Sequence, residues 1–264
     1  MNRKKLLISL AMVMLSMAGL AADNLPALRV QGKNLVDANG KTVVLHGVMD
    51  TPNRYFNGWR WQQWKADYSE ADIKPCLEYF SKQFSAITDK KQGAYCTVFR
   101  LHMDPCWTND PAKKVENEAD ISAFNMARYH RYLQKLYIPL IKDAIAHGLY
   151  VIVRPPGVCP GDISVGDRYN SYLKGIWKAF AADEYIKQNE GVISIELANE
   201  PVRVHLSDGT NSERALHDYF QPVVDVIREQ GFKGIIWVPG AGYQSQYQDY
   251  VKYPITDSED NFSY

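Results

Sequence analysis

The sequence predicts an α/β fold of the TIM-type (β/α)8 barrel class, incomplete here, with about five βα units and the start of a sixth strand. Three observations carry this expectation. Short apolar runs alternate with longer amphipathic stretches from residue 43 onward, as a parallel sheet flanked by helices requires. Polar and aromatic residues gather just after the predicted strand ends, at Asp50 and within 100–107, 154–162 and 199–204. No Gly-x-Gly-x-x-Gly follows any strand, which weakens the nucleotide-binding open sheet. A barrel brings all those strand ends round one mouth, whereas a doubly wound sheet collects only those at its switch point.

The first residues stand outside the fold. Arg3, Lys4 and Lys5 precede a nearly unbroken apolar run over 6–20, followed by Ala21 and Ala22. This is the pattern of a secretory signal peptide over 1–22, leaving 23–264 as one partial barrel domain in a secreted or periplasmic protein. The run is shorter than the roughly 20 residues a bilayer demands, so no stable membrane insertion is expected once it is removed. Next, 28–30 and 35–37 lead to Asn39-Gly40, a turn signal, and 42–48 returns. Val43, Val44, Leu45 and Val48 predict a buried strand of the parallel-sheet kind.

Strands are predicted over 95–101, 149–153, 192–197 and 234–238, with helices over 71–88, 169–188 and 212–230. Between the first two of these strands Ser122 is placed to cap a long helix with apolar positions at Leu133, Leu136, Leu140, Ile141 and Ile145. Pro139 should kink it, and His147 and Gly148 mark its end. Asn261-Phe262-Ser263-Tyr264 begins a sixth strand. At about 40 residues per unit, eight units would need roughly 350 residues, more than the 264 present.

Charge is balanced, with 30 basic and 30 acidic side chains, which gives no reason to expect nucleic acid as a partner. Cys76, Cys96, Cys106 and Cys159 match no metal spacing, so no metal or organic cofactor is expected. Two disulfides are permitted in an oxidising compartment, and buried free thiols compete with them. Cys106 and Cys159 follow adjacent predicted strands and are the candidate bridge.

The informative stretch is Ile193-Ser194-Ile195-Glu196-Leu197-Ala198-Asn199-Glu200-Pro201, in which a strand runs into Asn-Glu-Pro. In this position the tripeptide resembles glycoside hydrolase family 5. The likeness extends to Leu35-Val36-Asp37-Ala38-Asn39-Gly40-Lys41, Leu45-His46-Gly47-Val48, Val98-Phe99-Arg100 and Gly148-Leu149-Tyr150-Val151-Ile152, and covers nearly all of 28–240. The resemblance implies a retaining, cellulase-like endo-β-1,4-glucanase acting on β-glucan or a related plant polysaccharide. Glu200 would be the catalytic acid/base, Asn199 would hold a sugar hydroxyl, and Arg100 would belong to the substrate site beside the nucleophile. It departs in two places. Arg154-Pro155-Pro156 stands where the family usually has a His, and the strand with the nucleophilic Glu is expected outside this chain, which would then be inactive alone. An inactive relic or glycan-binding fragment, and a mannanase of the same fold, are the alternatives.

Glu196 lies four residues before Glu200 on an extended strand, about 13 Å away, too far for a pair of hydrolytic carboxylates. A buried, paired barrel residue is the better account of it. Trp107 and Tyr243 are candidate substrate contacts, with Trp59, Trp61 and Trp64 as possible extensions of the cleft; local packing competes with sugar stacking at each Trp. Trp177 and Trp237 are expected in the core, and Asp104 and Asp162 as solvated loop carboxylates.

Overall fold

The computed structural model describes residues 25–52 and 68–264. The predicted signal peptide and Trp59, Trp61 and Trp64 lie outside the described residues. Six parallel strands form the central sheet: β3 (Gly47–Asp50), β4 (Val98–His102), β5 (Tyr150–Arg154), β7 (Ile193–Glu196), β9 (Ile236–Trp237) and β10 (Phe262–Ser263). They lie side by side in chain order, and the first four crossovers carry helices, as parallel pairing requires. Those helices include Ile73–Ile87, Met126–Tyr132, Ile138–Ala146, Arg168–Ala181 and Ala215–Glu229. Among the described residues β3 and β10 have no strand on their outer sides, so the sheet is an incomplete barrel. No described helix is long and apolar enough to cross a membrane.

Alternation along each strand divides two cores. Phe99, Leu101, Val151, Val153 and Ile195 face the helices and join the large core containing Phe80, Leu136, Trp177 and Phe220. The other face carries Val98, Arg100 and His102 on β4, which register with Tyr150, Ile152 and Arg154 on β5. At its lower end Val98, Tyr150, Ile235 and Leu28 form a second, smaller apolar cluster. The inner face therefore turns from apolar to charged toward the C-terminal strand ends, which is where a site can be built.

An N-terminal hairpin, β1 (Arg29–Gln31) with β2 (Asn34–Val36), closes that lower end. Its backbone is tied to distant chain: Leu28 N donates to Gly191 O at 2.8 Å and Val30 N to Asn261 Oδ1 at 2.9 Å. The hairpin turns at Gly32, φ +58°, a signal that the stronger Asn39-Gly40 pair obscured. Asn39-Gly40 does turn, with the Asp37 carboxylate accepting from Asn39 N and Lys41 N, but only one bridge, Val36 to Thr42, follows it.

Several expectations need correction. The strand over 43–48 forms only from Gly47, and it is not buried: Val44 is 78% and Met49 50% exposed. Its apolar composition suits a strand with neighbours on both sides, and among the described residues β3 has one. Gly47 is required, since a Cβ there would meet Val98 O at 1.8 Å. Ser122 is not the cap; Asp120 accepts from Ser122 N and Asn125 caps the helix Met126–Tyr132. Where Pro139 was expected to disturb the helix, the hydrogen-bond ladder passes through a π-helical turn, Leu133–Tyr137, just before the proline, which has no N–H to give. Asp183 ends one helix and caps the next (Glu184–Gln188), dividing the stretch expected to be continuous.

All four cysteines are free thiols, so no Cys106–Cys159 bridge exists; both pack within the large apolar core, and burial pushes the Cys159 thiol up. Trp107 is fully buried and cannot be a sugar platform. Its ring stacks on Tyr68 at 4.6 Å, meets Tyr132 edge-on at 5.0 Å, and its indole N–H donates to the Pro52 carbonyl. It lies in the short helix Pro105–Thr108 after β4, all of whose residues are buried, and belongs to the large core. Trp107→Ala should therefore lower stability by about 3–5 kcal/mol, read as a shift in the urea midpoint. A variant as stable as the parent would contradict this placement.

Candidate active site

The site begins with a carboxylate that burial alone would not tolerate. Glu196, the last residue of β7, is 6% exposed on the inner face. Arg100, two strands away on β4, reaches over it with Nε to Oε2 at 2.6 Å and Nη2 to Oε1 at 2.5 Å. This is the paired barrel residue expected of Glu196, and it engages the guanidinium that was assigned to substrate. Arg100 Nη2 also donates to Asn199 Oδ1 at 3.2 Å, and Arg154 Nη1 donates to the same oxygen. Gln244 Nε2 reaches Glu196 Oε1 at 3.2 Å and the Ala198 carbonyl at 3.3 Å.

Beyond Asn199 the chain leaves the strand abruptly. Glu200 has φ +53°, in the left-handed region, and it precedes Pro201, which disfavours helical backbone for its neighbour. Such a conformation costs on the order of 1–3 kcal/mol and persists only where surrounding structure imposes it. Here the imposing structure is a two-stranded parallel sheet of β6 (Asp162–Ser164) and β8 (Arg203–His205), which joins the loop after β5 to the loop after Glu200. Asp162 is solvent-exposed, as expected, and also serves as a clasp, holding Arg203 through contacts of 2.5 and 2.6 Å and His205 Nε2 at 3.2 Å. Hydrogen bonds from Arg203 and His205 together hold its pKa well below the usual carboxylate range. From the other side Tyr243 N donates to Pro201 O at 2.9 Å and Gly242 N to Val202 O at 3.0 Å.

The outcome is an exposed Glu200 over a cleft of about 330 Å³ shared with Arg100, Glu196, Trp237, Gln244 and Tyr247. A larger hollow of about 820 Å³ lies between the hairpin and β10, around Arg29, Lys33, Lys233 and Glu259, away from these groups. Of the predicted residues, Arg100, Asn199 and Glu200 come together. Trp107 does not, and Tyr243 stands 67% exposed, outside the cleft lining, contributing backbone rather than its ring. Trp237, expected in the core, instead lines the cleft, half-buried, with Nε1 donating to Ser194 Oγ at 2.9 Å. Strand parity could have found it, because it registers with Glu196 and so shares its face. Gln244 was missed beside Tyr243. Left-handed backbone at Gly242, Tyr243 and Gln244 sets the loop that brings its side chain to Glu196.

Asp104, by contrast, is not a solvated carboxylate. It is 1% exposed, accepting from Cys106 N at 2.6 Å and Thr51 Oγ1 at 3.4 Å. Burial outweighs those hydrogen bonds and raises its pKa to about 6. His102, buried between two arginines, is held neutral, well below its ordinary range. Among the described residues no three His, Cys, Asp or Glu side chains converge as a cation site.

A sheet open at its mouth to a strand-end acid, an adjacent Asn and a buried Arg–Glu pair is the arrangement of a barrel hydrolase. Residues 37–264 match the family described as Cellulase (glycosyl hydrolase family 5), and the chain belongs to that family. Among solved structures it is similar to the catalytic domain of endoglucanase Cel5A from Thermobifida fusca, at 21% identity and TM-score 0.56, covering 89% of this chain and 62% of that one. It is also similar to a thermostable, halotolerant family 5 cellulase from an Icelandic hot spring isolate, at 23% identity and TM-score 0.57, covering 92% and 60%. A β-glucanase from Saccharophagus degradans follows at 15% identity and TM-score 0.57, covering 91% and 61%. Identities this low establish the shared (β/α)8 architecture, of which this chain supplies six sheet strands. The chain spans about three fifths of the length of these structures. No curated protein matches it.

Two outcomes follow from this geometry. Asparagine tolerates left-handed backbone better than glutamate, so Glu200→Asn should leave stability unchanged or raise it by about 1 kcal/mol in urea unfolding. A clear loss would show that Glu200 carries structural contacts instead of strain. The second concerns acidity. Folded Asp104 binds its proton more tightly than the unfolded chain, so between about pH 4 and 6 the folded state holds a proton that the unfolded state releases. Stability should fall as pH rises through that window, by on the order of 3 kcal/mol, and Asp104→Asn, which keeps the cap, should flatten the slope. An unchanged slope in the variant would refute the assignment.

Proposed function

We propose that this chain carries the acid/base half of a retaining, endo-acting β-glycanase site for β-1,4-glucan, in an exported protein. The observation that carries the proposal is Glu200 itself: an exposed carboxylic acid, held in left-handed backbone at a strand end, over a cleft whose floor is a fixed Arg–Glu–Asn assembly. In that position it would protonate the departing glycosidic oxygen and then, as a carboxylate, activate the water that releases the sugar. Asn199 Nδ2 would donate to the hydroxyl beside the reacting carbon. Trp237 offers the flat apolar surface that Trp107 does not. Its register with Glu196 sets it at the depth of the catalytic floor. The cellulase and β-glucanase names among the similar structures support the choice of a β-linked glucan.

A retaining mechanism needs a second carboxylate about 5 Å from the first. Glu196 and Glu200 are the acidic residues lining the cleft, and both oxygens of Glu196 are held by Arg100. We therefore infer that the nucleophile comes from chain beyond these residues, and that the described residues by themselves bind glucan without cleaving it efficiently. The test uses an unactivated cello-oligosaccharide, with azide or formate as an external nucleophile where water alone gives no turnover. Glu200→Gln should lower turnover roughly 10²–10⁴-fold with binding preserved. Equal turnover by parent and variant would remove Glu200 from the mechanism. Parental binding without turnover under every condition would instead favour a glycan-binding role.

A further inference from the structure

We propose that Arg154 is a positioning residue, whose guanidinium sets the side-chain amide of Asn199 so that only its NH2 group can meet a ligand. The proposal rests on the Glu200 reading for the identity of that ligand, a sugar hydroxyl, but its geometry stands apart from it.

Asn199 is 2% exposed, and its Oδ1 accepts from two cations, Arg154 Nη1 and Arg100 Nη2 at 3.2 Å. Turning the amide over would lose both charge-assisted hydrogen bonds and set N–H against N–H. The orientation is therefore fixed, and Nδ2 points away from both guanidinium groups, with no protein acceptor among the described residues. Arg100 alone is a weak device for this purpose. Two of its nitrogens are committed to Glu196, and its bond to Asn199 is the longest of the three.

Arg154 has no such commitment. It is 4% exposed, and among the described residues it makes no ion pair within 4.0 Å and its Nε has no hydrogen-bond partner; besides Asn199, its Nη1 reaches only Met49 Sδ, at 3.9 Å. A buried arginine without its own carboxylate is costly, and apolar replacement of buried charge is frequently neutral or stabilising, so fold stability does not account for it. Register does account for where it sits. Arg154 pairs across the sheet with His102, in the layer above Arg100, at the height of the Asn199 carbonyl it holds. Burial and the two arginines hold the neighbouring His102 neutral, so it does not repel the guanidinium.

The experiment compares Arg154→Met, Arg154→Lys, Asn199→Ala and the Met/Ala double variant of the full chain. Binding of a cello-oligosaccharide and of its 2-deoxy analogue is measured beside the ¹⁵N spectrum of the Asn199 side-chain amide. Arg154→Met should unfold cooperatively, bind the parent sugar about tenfold more weakly, and add nothing further in the double variant. For the 2-deoxy analogue the loss should vanish. Lys, a single point donor, should restore part of the binding. In Arg154→Met the Asn199 amide signals should broaden or shift as the two orientations mix. Additive losses, or amide signals unchanged in Arg154→Met, would overturn the proposal. If the parent binds no sugar at all, the glycanase reading falls, and the amide spectrum alone decides the role of Arg154. Should Arg154→Met fail to fold, the Lys variant carries the same two measurements.

Discussion

A carboxylate taken out of water at the end of β7 is held in place by a guanidinium that arrives from two strands away. The carboxylate is not tolerable there without the guanidinium: removing the partner of a buried charge typically costs about 3–5 kcal/mol, because the survivor stays buried and charged. The span from Arg100 to Glu196 passes over Ile152 on β5, so the pair fixes three strands in relative register as well as two side chains. Asn199 and Gln244 then take their places from the oxygens and nitrogens that the pair leaves available. The floor of the site is thus one assembly, with Glu200 as the group that leaves it.

That departure explains how strain and order coexist at the mouth. Glu200 adopts a backbone conformation it would not choose, and the price is borne by ordinary hydrogen bonds some distance off. The β6–β8 pairing with its Asp162–Arg203 clasp constrains one side, and the turn at Gly242 and Tyr243 constrains the other. The first contributes no side chain to the cleft, and the second contributes Gln244. Their effect is to make the direction of one carboxylate a property of two loops.

The sheet was legible in the sequence because its information is local. The run over 149–153 is apolar on both faces and that over 192–197 on one, both are bounded by helix signals, and these two strands formed within a residue of their expected ends. Glu200 and Asn199 were legible through the Asn-Glu-Pro pattern, and the pairing of Glu196 through the cost of leaving it alone. What could not be read was any property set by the third dimension. Trp107 and Trp237 both sit near strand ends, yet a four-residue helix turns the first into the core while register places the second beside Glu196. Asp104 looked solvated because nothing in its neighbours reveals that Tyr137 and Thr51 close over it. Cys106 and Cys159 follow adjacent strands but pack into the helix-side core, a distinction that spacing does not encode. Val44 and Val48 look like core residues, and lie exposed because β3 stands at an edge.

The N-terminal hairpin has a consequence for the order in which this chain can assemble. Each sheet strand pairs with the one next in chain order, so most of the structure can form progressively from short-range closures, which favours rapid growth. The bond from Val30 N to Asn261 Oδ1 is different, because it spans 231 residues. Asn261 can receive it only after Arg228 has gripped Asp257 and Asn261 has settled against Lys233, placing the last strand. Loop-closure entropy puts that contact late, after β9 and β10 are in position. It is then also the natural point at which opening starts, so the earliest local unfolding would release the hairpin at the apolar end of the inner face while the charged floor at the opposite end remains intact.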